Sequence, residues 1–313
     1  MTTASMTPPP TSIQVGLFVT CLVDMFRPSV GFASVKLLQL AGCDVQVPEN
    51  QTCCGQPSYN SGDRHSTTEI ARNVIDSFEG FKYVVGPSGS CIGMLHQYPD
   101  LFSSDDPYHA RAERLAARAF EITSFLTDVM HFDAVLAKHA AAYPKKVTYH
   151  DSCAGLRELG IKQQPRQLLS KVSGVELTEM EESETCCGFG GTFCIKYPDI
   201  SNRMVGDKAG NAQATGAELL LGGDLGCLLN MAGKLQREGT RLEVRHIVEV
   251  LASMTDTPAI GAGKNDSNYD PDSNSANNSD RNADHNSDNN SDNNSDNNSD
   301  LNSDLKYDLG REA

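Results

Sequence analysis

An internal duplication constrains this chain more than any other feature. Cys21, the pair Cys53-Cys54 followed by Gly55, and Cys91 recur as Cys153, the pair Cys186-Cys187 followed by Gly188, and Cys227. The spacing is Cys-x31-Cys-Cys-Gly-x35-Cys in the first copy and Cys-x32-Cys-Cys-Gly-x38-Cys in the second. Two such frames at matched distances make the first 255 residues a repeat of one supersecondary unit.

Each copy reads as β-α-β-α-β. In the first, Ile13–Val19, Val45–Val47 and Tyr83–Val85 are strands, and 29–41 and 67–78 are helical. In the second, 146–149, 175–177 and 218–221 are strands, and 165–172 and 200–215 are helical. Helices over 110–120 and 124–139 join the copies, and a last helix covers 244–253. Strands alternating with helices predict an α/β protein of two similar parallel-sheet lobes, whose cysteine-bearing edges face a common cleft. The expected organisation is a flexible N-terminus (1–12), a first lobe (13–108), a helical connector (109–145), a second lobe (146–255) and a disordered tail (256–313). The tail is Asn, Ser and Asp with almost no apolar residues, which cannot offset the entropy of ordering. Its Asp repeat lacks the glycines that calcium-binding turns need.

Charge and targeting narrow the class. Of the net charge of -15, the tail carries -9, so the remainder is an ordinary soluble domain without a basic footprint for nucleic acid. No apolar run is long enough to span a membrane, and the first residues do not read as an export signal. A cytoplasmic location is expected, where ten cysteines point to metal or redox chemistry rather than to disulfides.

The predicted topology puts four thiols of each copy beyond the carboxyl ends of strands, the edge on which open α/β sheets bind ligands. Cys21, Cys53, Cys54 and Cys91 form one candidate ligand set, and Cys153, Cys186, Cys187 and Cys227 the other. Gly55 and Gly188 allow the tight turn that lets adjacent thiols face one cofactor. Zinc held by four thiolates is one candidate occupant, but Cys-x2-4-Cys knuckles are absent. Adjacent cysteines suit an iron–sulfur cluster, whose irons each take one thiol.

These frames resemble the duplicated cysteine-rich CCG family. The words CCGQPSYNSG at 53–62, GPSGSC at 86–91, YHDSCAGLRELGI at 149–161 and CCGFGGTFCIKYPDIS at 186–201 are most similar to its lactate-oxidising members. The resemblance covers about residues 13–252. It implies an iron–sulfur oxidoreductase subunit, active only with partner subunits. Electrons from L-lactate, or from another 2-hydroxy acid such as glycolate, or from glycerol phosphate, would pass through a thiolate-bound cluster of the [4Fe–4S] type. Heterodisulfide-type thiol–disulfide reduction and a zinc or metal-free scaffold are the alternatives. Fuller motifs of the family end in Cys-x-x-Cys; here Ser88 and Asp224 stand at the first of those positions, leaving four patterned thiols per copy.

Other polar residues have two readings. His150 and Asp151 beside Cys153 are candidates for proton transfer or for holding a substrate carboxylate, with bracing of the Cys153 loop as the alternative. Arg157 is a candidate carboxylate clamp, or an ion-pair partner of Glu158 or Glu182. Asp224 reads as a capping or solvent-facing residue, His246 as a helix cap, and Cys43 as packing; Cys194 has no counterpart in the first copy. No Gly-x-Gly-x-x-Gly or Walker loop is present, so a nucleotide or flavin is expected on another subunit. The richer second copy is expected to be the catalytically more important one.

Overall fold

A computed structural model describes residues 13–262 of the chain. The expectations for 1–12 and for the tail from 263 onward lie outside the described residues.

The first lobe runs β1 (Ile13–Leu17), α1 (Cys21–Phe26), α2 (Pro28–Leu40), β2 (Cys43–Gln46), α3 (Gln56–Asn60), α4 (Arg64–Phe78), β3 (Tyr83–Gly86), α5 (Gly89–Gln97), α6 (Pro107–Ala116) and β4 (Ala119–Glu121). A turn of helix, α7 (Ile122–Ser124), a π-helical turn at Phe125–Val129 and α8 (Asp133–His139) lead out of it. The second lobe runs β5 (Lys146–His150), α9 (Cys153–Leu159), α10 (Gln163–Leu169), β6 (Glu176–Leu177), α11 (Phe193–Lys196), α12 (Pro198–Ala214), β7 (Leu219–Gly222), α13 (Leu225–Arg237), β8 (Glu243–His246) and α14 (Ile247–Leu251).

Each lobe is an α/β unit built on a four-stranded parallel sheet, ordered β2-β1-β3-β4 and β6-β5-β7-β8. Val15 pairs with Tyr83 across β1 and β3, and Val147 with Leu219 at the matching place across β5 and β7. The central strands are apolar on both faces, as burial under helices on both sides demands; every residue of β7 is buried. One apolar core runs through both lobes, from Val15, Leu17 and Val30 to Leu220, Met231 and Val248. A second cluster, around Phe18, Phe78, Ile92 and Leu115, packs α4, α5 and α6 on the other face of the first sheet.

Three expectations change. The segment 109–145 is not wholly helical, since Ala119–Glu121 pairs in parallel with β3 as the fourth strand of the first sheet. Likewise the helix expected from residue 244 begins later, because Glu243–His246 pairs with β7. Both edge strands are too short to show an alternating pattern, and pairing with a buried neighbour decides them. The folded body also extends beyond 255. Ile260 is buried and its N–H donates to Val244 O (2.8 Å), while Arg245 and Arg27 donate to Thr257 O and Pro258 O (both 2.6 Å). A chain ending at Ser253 loses these contacts and one ending at Ala262 keeps them. The shorter chain is expected to be less stable by about 2–4 kcal/mol, a core isoleucine plus buried hydrogen bonds. Denaturant unfolding of the two truncations checks this; equal midpoints would place the boundary back at 253.

Candidate metal centres

The parallel topology brings the patterned cysteines to one edge of each sheet. β1 and β3 are neighbours, while the chain leaving β1 turns outward to β2, so a crevice opens above the central strands. Cys21 is the first residue of α1 and Cys91 the third of α5; in the second lobe Cys153 is the first of α9 and Cys227 the third of α13. Each of these cysteines thus lies in the first turn of a helix that follows a central strand. The adjacent pairs arrive from the loops after β2 and β6.

Within each lobe all four thiols meet. The Cys21 thiol donates to the Cys53 sulfur at 3.6 Å, Cys54 lies beside Cys53 and Cys91, and Cys153, Cys186, Cys187 and Cys227 are neighbours in the same order. All ten cysteines are free thiols. Cys53 and Cys186 sit well below the ordinary thiol range, because flanking thiols donate to them, with further help from the N–H groups of Gly55 and Gly188. That of Gly188 lies 3.4 Å from the Cys186 sulfur. Both glycines have left-handed backbones (φ +83° and +78°), and a Cβ on Gly188 would meet Ser201 O at 2.8 Å. The carbonyl of the second pair member is anchored in each lobe, Cys54 O by Tyr98 (2.9 Å) and Cys187 O by Asn230 (2.9 Å).

The second centre contains one more donor. His150, at the end of β5, is buried and lies with Cys187 and Cys227 in a set whose ligand atoms are all within 4.8 Å of one another. Neither ring nitrogen has a hydrogen-bond partner, and burial, then the Lys208 charge, pushes its pKa down to about 3. A neutral, orphaned imidazole beside the Cys187 and Cys227 thiols costs free energy unless something binds there, and a metal centre fits that donor set.

The other expected site residues fare differently. Asp151 is buried and both its oxygens accept from the Arg166 guanidinium (2.8 Å each), so it braces the Cys153 loop. Arg157 is exposed on α9, and its charge acts on Glu184. Asp224 is buried rather than solvent-facing, and accepts from Ser88 and Ser90 of the other lobe. His246 caps α14 as expected: Nδ1 accepts from Val248 N–H and Nε2 reaches Pro87 O at 3.0 Å. Cys43 is buried in β2, and the thiol of Cys194, a residue of α11, donates to Gly191 O.

Arg166, Lys208 and Glu121 were not anticipated. Lys208 is buried beside the second centre and its Nζ donates to Glu182 O and Ser183 O, both 2.7 Å, which fixes the approach to Cys186. Its sequence signal is a lysine within the buried stripe Ser201, Val205, Ala209, Ala212 of α12. Glu121 ends β4; its Oε2 accepts from Thr123 and Ser124, and its unpartnered Oε1 lines a small cavity with Tyr149, Asp151, Ser152 and Gly223.

A cysteine-rich domain profile, that of the CCG family, matches residues 15–96 and 147–232, which are the two lobes. The chain belongs to the CCG family. It is 47% identical over 241 residues to a Shouchella clausii protein named lactate utilization protein A, covering 77% of this chain and 99% of the relative. It is 45% identical to the Bacillus subtilis protein of the same name, over 77% and 100%. A hypothetical protein of Helicobacter pylori, at 10% identity and a TM-score of 0.55, covers 83% of this chain and 51% of its own and shares the fold. No helix among the described residues is long and apolar enough to cross a membrane.

Burial pushes the Glu121 carboxyl up to about 7. The folded chain therefore holds this proton to higher pH than the unfolded chain, whose carboxyl titrates near 4.5. Stability is expected to fall as pH rises from about 4.5 through about 7, by on the order of 3 kcal/mol, and then to level off. Glu121→Gln should flatten this part of the profile and gain on the parent protein at pH 8; unchanged pH dependence in urea titrations would refute it.

Proposed function

We propose that this chain is the iron–sulfur electron-transfer subunit of an assembly that oxidises L-lactate. The observation that carries the reading is the pair of matched thiol quartets on a chain that aligns with nearly the whole length of proteins named for lactate utilization. Bound in such a quartet, an iron–sulfur cluster accepts and passes on single electrons. Cys21, Cys53, Cys54 and Cys91 would hold one, and Cys153, Cys186, Cys187 and Cys227 the other, with the glycine N–H groups donating to the sulfurs. The substrate-oxidising chemistry and any flavin or nucleotide would reside on partner subunits.

The two centres divide the work. The second is the one proposed to exchange electrons with a partner. Cys186 lines a groove of about 430 Å³ with Phe193, Tyr197, Met204 and Lys196, and with Asn60 of the first lobe. The first centre would relay. In that scheme Lys208 offsets the charge of the second thiolate set, His150 stands beside it as a neutral donor, and Asp151 braces the Cys153 loop through Arg166. A zinc site is the second reading, because His150 with Cys187 and Cys227 is also a zinc-type donor set.

Iron and acid-labile sulfide in anaerobically purified protein decide between these. Cys54→Ser and Cys187→Ser are each expected to lose about half of the iron, one cluster of two. Lactate-dependent electron transfer in the reconstituted complex should fall further for Cys187→Ser. Stoichiometric zinc without iron would overturn the electron-transfer role, and a greater loss at Cys54 would reverse the assignment of the two centres.

A further inference from the structure

Ser88 and Asp224 occupy the same place in the duplicated frame, three residues before the last cysteine of their lobes. They meet across the seam between the lobes. Both are buried, and the Ser88 hydroxyl donates to Asp224 Oδ2 at 3.1 Å. The same oxygen accepts from Ser90 N–H at 3.0 Å. Asp224 stands at the N-cap of α13, yet its side chain makes no bond to that helix. It caps α5 of the other lobe instead. Ser88 completes that cap by accepting from Cys91 N–H at 3.3 Å. The first turn of α5, which carries Cys91, is therefore held by a side chain from the loop that carries Cys227.

Neighbouring contacts keep this arrangement rigid. Pro87 O accepts from the His246 ring at 3.0 Å. Gly89 packs on Gly155 of α9 so closely that a Cβ there would lie 2.8 Å from the Gly155 Cα. Arg27 and Glu249 close the seam with a buried ion pair at 2.9 Å. Three successive points of one metal-binding loop, Pro87 O, Ser88 Oγ and Ser90 N, are thus fixed by the opposite lobe.

We propose that Ser88 and Asp224 are a positioning pair that sets the reduction potentials of the two centres together. This rests on the reading of both quartets as redox centres. A buried negative charge three residues before Cys227, and hydrogen-bonded to Ser88 and Ser90 beside Cys91, favours the oxidised, less negative state of both centres. The Ser88 hydroxyl and the Ser90 N–H partly neutralise that charge, so the first lobe adjusts the field felt by the second. One carboxylate then keeps the centres in step, and neither lobe's potential is a property of that lobe alone.

The test uses the full-length, anaerobically loaded protein in spectroscopically monitored redox titrations, with iron measured in each sample. Asp224→Asn keeps an oxygen acceptor and removes the charge, so both midpoints should move to more positive potential. Ser88→Ala leaves the charge in place and strips a donor from it, so the midpoints should move to more negative potential. A purely structural role would not give opposite signs. Iron-loaded variants with unshifted midpoints, or an Asp224→Asn shift confined to one centre, would overturn the proposal. Should Asp224→Asn fail to load, Ser88→Ala decides alone, unshifted midpoints again overturning it. Parent protein without iron would instead be the failure of the electron-transfer reading, and would remove this inference with it.

Discussion

Everything at the two centres depends on strands that all run the same way. A parallel sheet delivers every strand's carboxyl end to one edge, so residues thirty or forty positions apart can share a site without a long loop. The order β2-β1-β3-β4 then separates the chain leaving β1 from the chain leaving β3, and Cys21 and Cys91 stand on either side of the gap. The same holds for Cys153 and Cys227. The Cys-Cys pair closes the set from the side, and needs Gly55 or Gly188 because the backbone must turn left-handed right after it.

Collecting thiols, an imidazole and several charges at a buried edge opposes folding unless each is matched. The chain matches most of them itself. Arg166 holds Asp151, Lys208 is satisfied by two carbonyls, and Arg27 with Glu249 bridges the lobes inside a continuous apolar core. At the second centre both nitrogens of His150 are left without a partner. An unmet buried hydrogen-bonding group costs on the order of 1–3 kcal/mol, so a metal held by His150 would relieve a cost that the folded chain otherwise carries there.

The repeat, the strand-helix alternation and both quartets were legible because their signals are local or periodic. Runs such as Leu219–Leu221 mark a doubly covered strand wherever they occur, and a Cys-Cys-Gly triplet found twice marks its own frame. Pairing was not legible where it alone decides the structure. Ala119–Glu121 follows a helix and is three residues long, and 243–246 runs straight into a helix of similar composition. Nor does proximity along the chain choose a partner. Arg157 is close to Cys153 in sequence but exposed, whereas Arg166, a few residues further on, folds back onto Asp151. The meeting of Ser88 with Asp224 has a separation of 136 residues and no pattern of its own.

Duplication explains why the lobes agree, and the residues after each pair explain why they diverge. After Cys54-Gly55 the chain enters α3 at once, because Pro57 fits the first turn of a helix, and Gly55 packs on Thr67 and Ile70 of α4. After Cys187-Gly188 it continues through Phe189, Gly190 and Gly191 before α11 begins, which leaves a groove at Cys186 beside α12. The aromatic faces of Phe193 and Tyr197 and the amine of Lys196 stand at the resulting opening instead. Lys196 reaches back to Ser61 of the first lobe at 3.2 Å, so the opening is framed by both copies. One frame, repeated, thus yields two quartets with different surroundings, and the groove at Cys186 is built from the residues that follow Gly188 together with Asn60 of the other copy.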